Sequence, residues 1–160
     1  MTEPRWLSPE ELIAWRNLAF VTLILPGRLE EALQCNGLNF FEYSTLAALS
    51  DAPERTIQMS SLALLSNGSL SRLSHAATRL EKRGWIRRQT SPTDRRVTLA
   101  TLTDEGYAKL VEVAPAHVES VRKAVFDALT PEQVKQLGEI CGLLMENINP
   151  GDPPPWVPAG

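Results

Sequence analysis

Around Gly84 the spacing of apolar residues changes period, and that change limits the folds open to this chain. Up to Arg83, Leu70, Leu73, Ala77 and Leu80 recur at the steps of three and four that put side chains on one face of a helix. Beyond Gly84, "WIRRQT" and "VTLATL" are short runs rich in β-branched and aromatic residues. The segment therefore predicts a helix stopped by Gly84, followed at once by a β-hairpin. The hairpin tip, "TSPTDRRVT" at residues 90–98, concentrates Asp94, Arg95 and Arg96 behind Pro92, which helps to set the turn.

Upstream, "MSSLALLS" at residues 59–66 reads as a short helix, "NG" at Asn67 and Gly68 as a turn, and Ser69 as the cap of the helix that runs to Arg83. Two short helices joined by a glycine-containing turn make a helix-turn-helix. With the apolar face of the second helix turned inward, Ser71, Arg72, His75, Thr78, Arg79 and Lys82 project from the other side. Their hydroxyl, imidazole and cationic groups suit base edges and phosphates. Charge is distributed accordingly: residues 69–96 hold eight Lys and Arg against two acidic residues, in a chain of net charge −3. A basic segment in an acidic chain points to a local polyanion contact, with a solvated charged face as the alternative that clustering alone leaves open.

The flanks predict more helix. "SPEE" at residues 8–11 is a capping box with proline at the first helical position, and opens a long helix that Pro26 should kink or divide. "NGLN" at residues 36–39 turns the chain into a helix over "FFEYSTLAALSDA", with Phe41, Leu46 and Leu49 on its apolar face. Thr103 caps a helix through Phe126, bent at Pro115, with Leu110, Val113, Val118, Val121 and Val125 as core candidates. "TPEQ" at residues 130–133 starts the last helix, whose stripe of Val134, Leu137, Cys141, Leu144 and Ile148 resembles a packing seam between helices more than a monomer surface. The tail "NPGDPPPWVPAG" cannot continue that helix and is expected to lack a fixed fold. No apolar run reads as a membrane span, since "LAFVTLILPG" is broken by Pro26, and the polar start does not read as a signal peptide. Two cysteines and two histidines are too few to suggest a disulfide scaffold or a structural metal cluster, and no cofactor is expected.

Residues 62–106, "LALLSNGSLSRLSHAATRLEKRGWIRRQTSPTDRRVTLATLTDEG", closely resemble the winged helix-turn-helix of the MarR family of bacterial transcriptional regulators. The most specific part is the wing signature, Asp-x-Arg with Leu-Thr six residues on, here Asp94, Arg96, Leu102 and Thr103. Ala100 stands where valine is common. The resemblance implies a mostly α fold with a small hairpin wing (α+β). It divides the chain into an N-terminal dimerisation helix (residues 1–35), a DNA-binding winged helix-turn-helix (36–103), C-terminal dimerisation helices (104–148) and a proline-rich tail (149–160).

Function follows from the same resemblance: a homodimer that binds a pseudo-palindromic site in double-stranded DNA, usually as a repressor released by a small, often aromatic, ligand; with no membrane span or signal peptide read in the sequence, it is expected to be cytoplasmic. On this reading Ser71, Arg72 and His75 contact bases, while Ser69, Thr78, Arg79 and Lys82 contact phosphates or share both tasks. Arg96 enters the minor groove with Arg95 on the flanking backbone, and Asp94 either aims an arginine or makes the turn. Trp15, Phe40, Phe41 and Tyr43 are the candidates for lining a ligand cleft, with plain core as the alternative. Two rivals stand beside this reading: a winged helix docking an acidic protein, and redox sensing through Cys35, whose acidic neighbours disfavour a reactive thiolate. An RNA-binding role fits the deep, narrow A-form groove poorly, and no nucleophile motif or phosphate loop suggests an enzyme.

Overall fold

The computed structural model describes residues 4–66 and 68–148, so the proline-rich tail lies outside the described residues. Among the described residues, six α-helices and three strands follow one another as α1 (Pro9–Gln34), α2 (Phe40–Asp51), β1 (Thr56–Gln58), α3 (Met59–Leu65), α4 (Leu70–Lys82), β2 (Ile86–Thr90), β3 (Thr98–Leu102), α5 (Asp104–Ala124) and α6 (Pro131–Ile148). The fold is mostly helical with a small antiparallel sheet of order β1-β3-β2. The expected hairpin is β2–β3, with Arg88 opposite Ala100 and Thr90 opposite Thr98. β1 was not expected: three residues after a 3-10 turn are too short to show a period, and they pair because β3 has a free edge.

Most helix starts follow their sequence signals. Ser8 and Asn39 each form a complete capping box, with Glu11 and Glu42 as the returning carboxylates. Thr103 caps α5 by accepting from the Gly106 backbone N–H, and its own hydroxyl donates to the Gly84 carbonyl at 2.6 Å. Gly84, at φ +75°, supplies the left-handed turn between α4 and β2 that other residues would adopt only under strain. Pro26 does not divide α1, which continues through it at the loss of one backbone bond.

One core lies under α4. Leu33, Leu38, Phe41, Leu46, Leu49 and Met59 meet Leu73, Ala76, Ala77 and Leu80 of α4, then Ile86, Ala100 and Leu102 of the hairpin and Leu110 and Val113 of α5. Two expectations shift here. Leu70 is 54% exposed while Ala76 is buried, so the inner face of α4 is rotated slightly away from the wing side. On α5 only the first half packs inward; Val118 is 52% exposed.

The outer helices behave differently. None of the described residues of α6 is buried, and Val134, Leu137, Leu144 and Ile148 are all exposed. α1 buries only Leu29 and Leu33 and leaves Trp6, Leu7, Ile13, Trp15, Phe20 and Leu23 in the open along its approach and length. The expectation that no segment is apolar enough for a bilayer is also corrected: because Pro26 does not end it, α1 contains an 18-residue window of mean hydropathy 1.2, enough by length and composition alone.

Candidate nucleic-acid interface

α4 is amphipathic, and its flanks differ as much as its faces. Opposite the buried Leu73, Ala76, Ala77 and Leu80 lies an outer strip of Ser71, Ser74, His75, Thr78 and Lys82. Apart from Lys82 and His75 the strip is made of small hydroxyl residues, so the helix backbone can approach a surface closely. Ser74, which the spacing of larger polar groups did not single out, belongs to it. Ser69 is spent on the cap, accepting from the Arg72 N–H at 3.2 Å.

One flank of α4 rests on α2. The Arg72 guanidinium lies 4.4 Å from the centre of the Phe41 ring, a cation–π contact that gives it a fixed platform. The same ring abuts the helix-turn-helix turn, where a Cβ on Gly68 would fall 2.7 Å from Phe41 Cζ. Arg79 donates from Nε to Oε1 of Glu42 at 2.7 Å, and that carboxylate is 3% exposed. Arg83 is 3.9 Å from the other Glu42 oxygen and donates to the Gly37 carbonyl at 2.6 Å.

The opposite flank is tied to the wing. Arg88 of β2 donates from Nη2 and Nε to Glu81 Oε2 at 2.7 and 3.1 Å, and its backbone N–H reaches Glu81 Oε1 at 2.9 Å. Nη2 also donates to the Thr78 hydroxyl at 3.1 Å. These bonds hold the Glu81 carboxyl below the usual carboxylate range, chiefly through the Arg88 side chain. A cleft of ≈ 300 Å³ separates α4 from the wing, lined by Ser60, Leu70, Ser74, Arg88, Arg96 and Thr98 among others.

At the wing tip Asp94 does both jobs considered for it. Its Oδ1 accepts from the Arg96 backbone N–H at 2.9 Å, which closes the turn, and its two oxygens take Arg96 Nε and Nη2 at 3.3 and 3.4 Å. The backbone bond first, then the side-chain bond, lowers its pKa. Arg96 remains 91% exposed, standing out from the body with its root held. Arg95 beside it is exposed as well.

The basic segment is therefore less free than its composition implies. Of its eight cations, Arg79 and Arg83 meet Glu42, Arg88 meets Glu81, Arg96 meets Asp94, and Arg72 sits on Phe41. The other three of the eight, Lys82, Arg87 and Arg95, have neither an acidic nor an aromatic partner among the described residues. Sequence spacing could not show this, because Glu42 lies 37 residues from Arg79.

The four ligand candidates do not come together. Phe41 is core, and Trp15 stands 57% exposed on α1. Phe40 and Tyr43 instead face His117 of α5, with ring centroids 6.1 and 4.3 Å from its imidazole. Burial lowers the His117 pKa and raises that of Tyr43, the latter with help from Asp51, and His117 Nδ1 is buried without a hydrogen-bond partner. A groove of ≈ 650 Å³ lies elsewhere, between Phe20, Ile24 and Arg28 of α1 and Ser120 and Lys123 of α5. Cys35 is exposed, its thiol directed at the Glu31 carbonyl 3.7 Å away, and Cys141 is exposed on α6.

Comparison with known proteins gives a consistent result. A model of the MarR family matches residues 38–98. The transcriptional repressor MprA of Escherichia coli (strain K12) is 31% identical over 117 residues, which is 73% of this chain and 66% of that protein. The HTH-type transcriptional regulator PecS of Dickeya dadantii (strain 3937) is 32% identical over 145 residues, 86% of this chain and 81% of PecS. Among solved structures, Sco3205, a MarR family transcriptional regulator from Streptomyces coelicolor in complex with DNA, superposes with a TM-score of 0.86 at 45% identity, covering 96% of this chain and 98% of that one.

Proposed function

This chain belongs to the MarR family, and from that premise we propose that it is a cytoplasmic transcriptional regulator that binds double-stranded DNA sequence-specifically as a homodimer. The observation that carries the reading is the wing: Asp94 pins the backbone and guanidinium root of an otherwise exposed Arg96, beside a recognition helix whose outer strip is small and polar. α4 enters the major groove, where Ser71, Ser74 and His75 meet base edges, Arg72 reaches a base from its Phe41 platform, and Thr78 and Lys82 meet base or backbone. Arg96 enters the adjacent minor groove and Arg95 holds the phosphates beside it.

The uncovered helix faces support a place for the second copy. α6 and most of α1 present apolar side chains that nothing in one chain covers, and such contiguous surface on a protein of this size marks an interface. We assign these helices, with the second half of α5, to dimerisation. The same burial explains why α1 is apolar without placing it in a bilayer. A two-fold axis would then set two α4 helices on half-sites about 10 bp apart. Repression relieved by a small aromatic ligand is the regulatory mode proposed. Phe40, Tyr43 and His117, between α2 and α5, are its proposed contacts.

Binding to genomic duplex fragments as a function of salt tests the reading. The expected result is one strongly preferred pseudo-palindromic site and a steep fall of affinity with salt. Weak, unselective binding would instead favour a module that docks an acidic protein.

A further inference from the structure

Among the described residues Glu42 is the one carboxylate that is both nearly fully buried and in contact with the recognition helix. It lies in the first turn of α2, where it plays two parts with two oxygens: Oε2 accepts from the Asn39 backbone N–H at 3.3 Å, completing the capping box, and Oε1 accepts from Arg79 Nε at 2.7 Å. Capping does not require the charge, since glutamine serves equally at this position. A buried carboxylate is costly unless it is paired, so the charge has to be explained by its cationic partners. Of these, Arg83 is otherwise engaged, bonded to the Gly37 carbonyl and lying over the Trp85 ring. Arg79 is not. Glu42 takes only its Nε, the side chain is half exposed, and its two Nη nitrogens have no protein partner among the described residues.

We propose that Glu42 is a positioning residue for DNA binding, holding Arg79 by Nε so that the free end of the guanidinium is preset against a phosphate flanking the recognition helix. The proposal rests on the DNA-binding reading given above and adds to it a residue that touches no DNA. It also accounts for an arrangement that is otherwise unfavourable for a DNA-binding protein, a negative charge directly behind the helix that meets a polyanion. An arginine held at Nε keeps its charge and its outer fork while losing the freedom that a flexible side chain would forfeit on binding. α1 supports the same turn from the other side, because Glu30 Oε2 accepts from the Phe40 backbone N–H at 2.6 Å.

The experiment measures the slope of log affinity against log salt for the full chain on its preferred duplex, with Glu42→Gln, Arg79→Gln, both together, and Arg79→Lys. Loss of one phosphate contact per subunit flattens the slope by about 0.9 per subunit. Arg79→Gln should show that loss, Glu42→Gln should approach it, and the double variant should be no worse than Arg79→Gln. The sign is informative, since Glu42→Gln removes a negative charge and by long-range electrostatics alone would strengthen binding. A steeper or unchanged slope in Glu42→Gln, or losses that add in the double variant, overturns the proposal. Should Glu42→Gln fail to fold, judged by its circular dichroism, Arg79→Lys decides. Its single ammonium cannot serve Glu42 and a phosphate in the same fork geometry, so it should match Arg79→Gln, and a wild-type slope overturns the proposal. Wild-type protein with no preferred duplex overturns both this proposal and the reading beneath it, whereas wild-type binding with unaffected variants overturns this one alone.

Discussion

Replacing Gly106 by alanine should destabilise the protein, although the change lies in a helix where alanine is ordinarily the better residue. Gly106 is in the first turn of α5 and buried, and a Cβ there would overlap the Trp85 carbonyl oxygen. The same Cβ would fall 2.8 Å from the Trp85 carbonyl carbon and 2.8 Å from Leu102 Cδ1. Comfortable carbon contacts begin near about 3.5 Å, so the neighbours must give by at least about 0.7 Å. Leu102 can rotate, but the Trp85 carbonyl is backbone and already accepts from the Thr103 N–H at 3.0 Å. Overpacking of this kind costs about 1–3 kcal/mol, against a gain in helix propensity of at most about 1 kcal/mol. A net loss of about 1–2 kcal/mol corresponds to a Tm lower by roughly 2–8 °C for a chain of this length. Because Trp85 leads into β2, the shift should also tilt the wing against α4 and weaken DNA binding at temperatures where the variant is fully folded. Calorimetry and duplex titration measure the two effects. An unchanged or raised Tm would show that the α5–wing junction is looser than described and would refute the steric reasoning.

Other perturbations have equally direct readouts. Arg96→Ala should weaken duplex binding and flatten the salt slope by about 1 per subunit while leaving the Tm unchanged, since its side chain is 91% exposed. Leu144→Asp places a charge in the uncovered stripe of α6. If α6 is the dimer seam, each copy loses about 1.5–3 kcal/mol of apolar burial, sedimentation shows monomer, and operator binding is lost with it. Burial holds the His117 pKa below its ordinary 6.5, so the folded state binds fewer protons than the unfolded chain just below that value. Stability should therefore fall as pH drops below about 6.5 and level off once the folded-state pKa is passed; His117→Phe should flatten that part of a pH–stability profile.

The local elements were legible because their signals are local. The capping box at Ser8, the cap at Ser69, Gly84 after α4 and the apolar period of α4 each act within a few residues, and each element begins or ends where its signal stands. What the sequence hid is long-range. β1 exists because β3 offers it an edge 45 residues away at Thr101, and the two are joined by a Thr56–Thr101 hydroxyl bond of 2.9 Å. The aromatic candidates Trp15, Phe40, Phe41 and Tyr43 looked alike in composition yet fall into three environments: Trp15 stands in the open on α1, and on α2 a step of helix rotation separates the core Phe41 from Phe40 and Tyr43 on the flank.

The charge pattern shows the same limit in the form that bears most on function. Eight cations in residues 69–96 suggest a surface that binds polyanions by charge alone. Glu42, Glu81 and Asp94 instead restrain four of those arginines, and each carboxylate does so from a different element or turn. A cation held by a carboxylate contributes less to unselective attraction, because the pair is close to neutral at a distance. It contributes more to a contact whose geometry matches, because its donors are already aimed. The pairing thus exchanges general affinity for discrimination, which is the balance a regulator needs when specific sites compete with an excess of other DNA. The acidic chain and its basic hairpin are two parts of one arrangement: carboxylates restrain the arginines from behind, and small hydroxyl side chains on α4 leave room for the bases to be read.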